Sequence, residues 1–255
     1  VFEGLFLIEN SADSTDSILV TIAGVEITIS PGEAFEANPR ALKEIALLRL
    51  EPYADESKQV SHAVRGISKI LDSKLWLDGS HLHPKKGDEV FDQERRRVIR
   101  ELLHALRDTE KGKKDALSPE AAQAAMVTIN YLVQADRLLA LIKIGEVRAS
   151  LTLDDVETRV EKELAKAEEE LAKGDVDRDS GAPDKAVQHY GKSWRHAVRA
   201  MDHYVRAMDH DAKEGNGRDK DEHDDAREGN GRDRDEDDDA REGNSKDKDE
   251  HDDDD

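Results

Sequence analysis

The last 45 residues of the chain consist mainly of a 14-residue unit that occurs three times. The units are Asp211–Asp224, Asp225–Asp238 and Asp239–Asp252, and three further aspartates follow them. Residues 211–255, here called the acidic segment, contain 22 Asp and Glu against 9 Lys and Arg and no apolar residue larger than alanine. Such a segment buries too little apolar surface to offset the entropy of ordering, so we expect it not to fold unless cations or partners neutralise it.

The preceding 210 residues have a different composition, with 38 acidic and 30 basic residues and periodic apolar patterns. This length is sufficient for a hydrophobic core. Aromatic residues make up only 4% of the chain, so we expect a core of Leu, Ile, Val and Ala. We predict a mainly α (α+β) fold in three parts: a β-strand region (1–38), a helical bundle (39–210) and the acidic segment (211–255).

The composition also argues against several functions. A net charge of −21 would repel nucleic acid. The absence of cysteine excludes disulfides and thiolate metal sites. No uninterrupted apolar run reaches the roughly 20 residues of a membrane span, and we predict none. No nucleophile elbow, phosphate loop or zinc-protease motif occurs, so we expect neither an enzyme nor a small-molecule substrate.

The N-terminal region has the alternation of β-strands. Gly4–Ile8 is a short apolar strand, and Val20/Ile22 and Val25/Ile27/Ile29 alternate around Ala23-Gly24 as in a tight hairpin. The prediction is a small antiparallel sheet of three strands. Three short strands are marginally stable alone, so the sheet must pack on the helices or be completed by another chain.

Helical spacing dominates from Pro39 onward. The apolar stripes predict helices over 39–50, 56–71, 88–106, 118–144, 153–173 and 184–208. Ser118-Pro119-Glu120 combines an N-cap, a first-turn proline and an acid, and it opens the helix that we expect at the centre of the bundle. Gly174 lies where a C-terminal glycine cap belongs, and the last two helices should pair antiparallel across a short connection.

That connection is the first candidate metal site. Asp175, Asp177 and Asp179 alternate before Gly181, and Asp184 follows. In a tight loop these oxygens would face one side, as calcium coordination requires. The pattern departs from an EF-hand, because glycine stands at the seventh loop position and Ala186 replaces the bidentate glutamate at the twelfth. The alternative is a solvated acidic loop in which Asp184 caps the next helix.

The acidic segment is the second candidate calcium site. In each unit a Gly-Asn turn precedes an Asp-x-Asp pair, and three such turns in register would stack carboxylates. The candidate ligands are Asp219, Asp221, Asp224, Asp233, Asp235, Asp238, Asp247, Asp249 and Asp252. The alternative is a solvated segment of mixed charge.

Histidines form two further patterns. His189, His196, His203 and His210 recur every seven residues on the last helix, either as a pH-sensitive stripe against a partner or as a by-product of a heptad-like helix. In the loop before residue 88, Asp78, His81 and His83 are a candidate for a transition-metal site, since two histidines flank a single residue.

Two stretches carry a resemblance: Leu75-Trp-Leu-Asp-Gly-Ser-His-Leu-His-Pro-Lys-Lys-Gly-Asp-Glu-Val-Phe-Asp and Asp184-Lys-Ala-Val-Gln-His-Tyr-Gly-Lys-Ser-Trp-Arg-His-Ala. They resemble the helical modules near the C-termini of secreted, often multidomain proteins of environmental bacteria and archaea. The resemblance covers about 30 of the 255 residues. It implies an extracellular or cell-surface location and no particular activity.

Together these patterns favour an extracellular structural protein that binds Ca²⁺ through its acidic loop and acidic segment. Neutralisation of the acidic segment would let subunits associate into a homo-oligomer, a filament or a surface layer. The alternative is a monomeric interaction module whose acidic segment docks on basic partners.

Overall fold

The computed structural model describes residues 38–151 and 158–208 with their side chains. It also describes the backbone of residues 209–215 and of four short N-terminal strands. By contact density the chain divides into two units, Val1–Ala212 and Lys213–Asp255. Only the backbone of residues 213–215 is described in the second unit, so the carboxylates of the acidic segment that were predicted to bind calcium lie outside the described residues.

The N-terminal strands pair two by two. β1 (Leu7–Glu9) pairs antiparallel with β4 (Ala34–Glu36), and β2 (Ile18–Ile22) pairs antiparallel with β3 (Val25–Ile29). The two ladders are separate, so the single three-stranded sheet predicted from the sequence is not supported. β4 was missed because three residues are too few to show a period of two.

The described part of the chain is mainly helical. The helices are α1 (Pro39–Leu50), α2 (Lys58–Ile70), α3 (Asp88–Gln93), α4 (Arg100–Glu110), α5 (Pro119–Ser150), α6 (Thr158–Asp179) and α7 (Pro183–Gly215). Side-chain caps fix the starts of three of them. The backbone N–H groups of Ala41, Val60 and Ala121 donate to Asn38, Ser57 and Ser118 respectively, over 2.9–3.1 Å.

α3 and α4 belong to one continuous helix that is interrupted by a π-helical segment, Glu94–Ile99. A π segment widens the helix locally and moves the side chains that follow it, and such segments are frequent at functional sites. Here the segment contains Arg95, Arg96 and Arg97, the basic cluster of the sequence, together with the buried side chain of Glu94.

α5 is the central helix. It opens at the predicted Ser118-Pro119 signal and contributes thirteen buried residues, including Leu132, Val133 and Leu139. An 18-residue window of α5 reaches a mean hydropathy of 1.3, enough by length and composition to cross a membrane. Half of that window is buried inside the bundle, and the core helix of a soluble protein meets the same criterion.

α6 and α7 pack antiparallel across a three-residue connection in which Gly181 has a positive φ of 76°. α6 passes through Gly174 and ends at Asp179, so the predicted glycine cap is wrong. Gly174 is buried in mid-helix, where a Cβ atom would lie 2.5 Å from Cε1 of Tyr190. The glycine therefore lets an aromatic ring of α7 lie against the backbone of α6.

Candidate functional site

The predicted calcium loop between α6 and α7 is helical. Asp175, Asp177 and Asp179 lie in the last turns of α6, and Asp184 lies in the first turn of α7. Positions two apart on a helix differ in direction by about 200°, because each residue turns about 100°. Asp177 therefore points away from the face shared by Asp175 and Asp179, and the expected convergence of the three carboxylates is wrong.

Asp175 is held by two other helices. Arg137 of α5 donates from Nε to Oδ1 over 2.7 Å and from Nη2 to Oδ2 over 3.1 Å, and the Tyr190 hydroxyl donates to Oδ1 over 2.8 Å. Burial alone would raise the pKa of Asp175, but the bonds from Arg137 and Tyr190 outweigh it and lower that pKa. This carboxylate joins α5, α6 and α7 and is not free to coordinate a cation.

The other acids of the predicted loop are also separated from one another. Asp177 Oδ2 lies 3.4 Å from His189 Nε2, and Asp179 accepts a hydrogen bond of 2.9 Å from Arg178 Nε. Within the described ranges, no group of three or more His, Asp or Glu side chains is arranged to hold a metal ion. The described end of the bundle thus gives no support to a calcium site at Asp175, Asp177, Asp179 and Asp184.

The histidine stripe of α7 faces α6 of the same chain at two positions. His189 Nδ1 lies 2.8 Å from Glu170, and His196 Nδ1 lies 2.7 Å from Glu163. The two pairs are one heptad apart on both helices, as antiparallel packing requires, and the Ser193 hydroxyl between them donates to the Ala167 carbonyl over 2.7 Å. These two histidines therefore stabilise an intramolecular interface.

Glu170 is the most strongly perturbed acid of this interface. Burial would raise its pKa, but hydrogen bonds from Lys173 and His189, with the nearby charge of Lys192, lower the pKa to about 2. Glu163 has a lowered pKa for the same reasons, with Lys166 and His196 as its partners. The α6–α7 contact is thus held by charge-assisted hydrogen bonds around a small aliphatic cluster that includes Leu164 and Ala197.

The loop before α3 bears the second histidine cluster. His81 Nδ1 lies 2.7 Å from Asp78 Oδ2, and His81 Nε2 lies 2.5 Å from Glu146 of α5. The His83 ring is engaged elsewhere, as its Nδ1 accepts from the Lys85 backbone N–H over 3.2 Å. The predicted grouping of Asp78 and His81 is present, but His83 does not share their contacts.

A pocket of about 300 Å³ opens beside His81. Its lining includes the apolar side chains of Leu139, Ile142 and Trp194 and the polar side chains of His81, Lys143 and Glu146. Both nitrogens of the His81 ring face carboxylates, so this ring has no free nitrogen with which to act as a base toward a bound molecule. The ring links the loop to α5, and the arrangement is that of a structural contact.

Sequence reasoning missed a buried ionic cluster in the core. Lys43 Nζ donates to Glu94 and, over 2.6 Å, to Asp136 Oδ1, and all three side chains are fully buried. Burial and the neighbouring Asp136 charge raise the pKa of Glu94 well above its usual value, against the opposing effect of the Lys43 charge. The signal was present in the sequence, since a lysine, a glutamate and an aspartate each fall on the apolar face of a different helix.

Comparison with known proteins finds no counterpart for this chain. No family model, no curated protein and no solved structure matches it.

Proposed function

We propose that this protein is a non-enzymatic interaction module and that the acidic segment is its docking segment for a basic surface. The observation that carries the proposal is the distribution of charge. The acidic segment has a net charge of −13, from 22 acidic and 9 basic residues, within 45 residues. The other 210 residues have a net charge of −8, from 38 acidic and 30 basic residues.

The described bundle supports this proposal because its partly buried acids already have partners within the bundle. Asp175 binds Arg137 and Tyr190, while Glu163 and Glu170 bind the lysines and histidines of their own interface. These carboxylates are neutralised at short range. The charge available to a partner therefore lies mainly in the acidic segment.

The proposal includes Ca²⁺ as a ligand of the acidic segment. Paired aspartates such as Asp219 and Asp221 supply the hard oxygen ligands that Ca²⁺ prefers, with weak affinity when the site is not preformed. A calcium ion on these carboxylates would compete with a basic partner. Binding of Ca²⁺ would then regulate docking.

The proposal is tested by neutralising the acidic segment without shortening the chain. A tail-neutral variant replaces Asp with Asn at positions 219, 221, 233, 235, 247 and 249. Binding of the full chain to a fluorescent oligolysine peptide is measured by anisotropy at several salt concentrations. We expect wild-type binding to weaken as salt rises, and the tail-neutral variant to bind about tenfold more weakly at low salt.

A matched control places the same change in charge on the bundle. It carries D55N, E89Q, E110Q, D115N, E161Q and D202N, six exposed acids that form no ion pair within the described residues. This control should bind oligolysine as the wild type does. Equal weakening of the control and the tail-neutral variant would show that net charge, and not the acidic segment, determines binding, and would overturn the proposal.

A further inference from the structure

A basic groove lies between α2 and the continuous helix formed by α3, the π segment and α4. The two helices run antiparallel, because Gln59 meets His104 over 3.4 Å while His62 lies 4.0 Å from Glu101. The groove has a volume of about 480 Å³. Its polar lining consists of His62, Arg65, Lys69, Gln93, Arg97 and Glu101.

Gly66 of α2 lies in the lining of the groove. A Cβ atom on Gly66 would lie 2.7 Å from Cγ2 of Val98 and 3.5 Å from the backbone oxygen of Arg97. The missing side chain lets the π segment lie against α2. Side chains on either side of this contact, at steps of three and four residues, form the two walls.

Three cations in the groove have no acidic partner among the described residues. Arg65, Lys69 and Arg97 are exposed, and none of them has a carboxylate within ion-pair distance in the described part of the chain. The guanidinium of Arg65 donates to the backbone oxygen and the hydroxyl of Ser61 in its own helix, over 3.3 and 3.1 Å. Glu101 is the one acid of the lining, and it faces His62.

The positive surface continues along α4. An adjoining cavity, which shares Glu101, is lined by three arginines, Arg96, Arg100 and Arg107, together with Leu103, His104 and one further acid, Asp184. Of these, Arg96 has a partner, Asp92, at 3.8 Å, whereas Arg100 and Arg107 form no side-chain ion pair with the described residues. On a chain of net charge −21, this concentration of cations, most of which form no ion pair with the described residues, favours an anionic ligand.

We propose that the basic groove binds the acidic segment of a second copy of this chain. Charge complementarity carries the proposal, and the spacing of the charges fits it. Arg65 and Lys69 are about 6 Å apart along α2, four residues at 1.5 Å each. The two aspartates of an extended Asp-x-Asp pair are about 7 Å apart, so one pair can meet both cations while Arg97 binds from the opposite wall.

The contact is directional, because each copy offers one groove and one acidic segment. Such a head-to-tail contact joins subunits into a ring or an open chain. The inference rests on the proposed docking role of the acidic segment and names the basic surface that it would meet.

The test uses two full-length variants that are complementary. The groove variant carries Arg65→Glu, Lys69→Glu and Arg97→Glu, and its partner is the tail-neutral variant. In sedimentation velocity at low salt with EDTA, the wild type should self-associate, and each variant alone should associate about tenfold more weakly. An equal mixture of the two should form dimers, because the tail-neutral variant supplies an intact groove and the groove variant supplies an intact acidic segment.

The matched control carries Lys58→Glu, Lys74→Glu and Lys114→Glu, three exposed bases outside the groove with no ion pair among the described residues. It should associate as the wild type does. Loss of helical circular dichroism in the groove variant would show that charge reversal unfolds the bundle. In that case a variant with Arg65→Gln, Lys69→Gln and Arg97→Gln takes the place of the groove variant. Wild-type association by the folded groove variant, or a mixture that stays monomeric, overturns the inference.

The oligolysine assay separates this failure from a failure of the proposed function. If the acidic segment binds oligolysine but the groove variant associates normally, docking stands and the groove is not its receptor. If the tail-neutral variant also binds oligolysine like the wild type, the docking role itself is wrong, and the inference falls with it.

Discussion

Lys43 Nζ and Asp136 Oδ1 are 2.6 Å apart in the centre of the bundle, and both side chains are fully buried. The same ammonium group binds Glu94 at the start of the π segment. One cation thus links α1, the π segment and α5. A buried charge of this kind is tolerated only while its partners are present, because each ion has given up its hydration.

Removal of the lysine should destabilise the bundle strongly. Lys43→Met leaves Asp136 and Glu94 buried without a cation, and we expect a loss of about 3–5 kcal/mol in the free energy of unfolding. Urea denaturation followed by circular dichroism measures the change. Combining Lys43→Met with Glu94→Leu and Asp136→Leu should recover much of it, and a single variant as stable as the wild type would contradict this account.

The α6–α7 interface should be sensitive to acid through Glu170. Its pKa in the folded chain, about 2, is below the ordinary value of 4.5. The folded state therefore binds fewer protons than the unfolded state in this window, and the stability present above pH 4.5 is lost as the pH falls toward about 2.

Glu170→Gln should remove that dependence. The variant should melt at a lower temperature than the wild type at neutral pH, and the difference should shrink in the acidic window, as measured by thermal unfolding at a series of pH values. Glu169→Gln is the control, since Glu169 shares Lys173 but its side chain is 66% exposed. An equal difference in melting temperature at all pH values would exclude Glu170 as the source.

Two glycines in helices should respond oppositely to alanine. Gly174→Ala places a Cβ atom 2.5 Å from the Tyr190 ring and should cost about 1–3 kcal/mol of stability. Gly145 of α5 has no atom within 4 Å of such a Cβ, so Gly145→Ala should stabilise the bundle by up to about 1 kcal/mol. Chemical denaturation of both variants gives the comparison, and the same sign at both positions would refute the packing role of Gly174.

Calcium should bind the acidic segment and not the end of α6. Calorimetric titration of the wild type should give saturable heat that is greatly reduced in the tail-neutral variant. Asp175→Asn should leave the heat unchanged, because this carboxylate is engaged by Arg137 and Tyr190. Loss of calcium heat in Asp175→Asn would restore the site predicted from the sequence.

The sequence predicts the helices well where local chemistry determines them. Ser118-Pro119 marks the start of α5, and the apolar stripes mark the helices of the bundle. Prediction failed where tertiary contacts override local signals. Gly174 resembled a cap because glycine usually ends helices, yet here the approach of Tyr190 requires it. The Asp-x-Asp pattern resembled a loop, but it lies in the last turns of α6, where Asp175 binds Arg137 and Tyr190 of neighbouring helices.

The basic groove could not be predicted for a related reason. Arg65 and Lys69 are separated in sequence from Arg97, and Arg97 is flanked by acids, Glu94 and Glu101. The packing of α2 against the π segment, with Gly66 close to Val98, brings these cations together. The acidic segment, in contrast, is evident from composition alone.

Zero-length cross-linking tests the central claim most directly, because carbodiimide joins a lysine amine to a carboxylate only when the two are in contact. An equal mixture of unlabelled and isotope-labelled full-length chains is cross-linked at low salt and analysed by mass spectrometry. We predict links from Lys69 to carboxylates of residues 211–255 that join a light chain to a heavy chain, with few such links from Lys58 at the start of α2. Equal linking of Lys58 and Lys69, or the absence of links between light and heavy chains, would contradict the account.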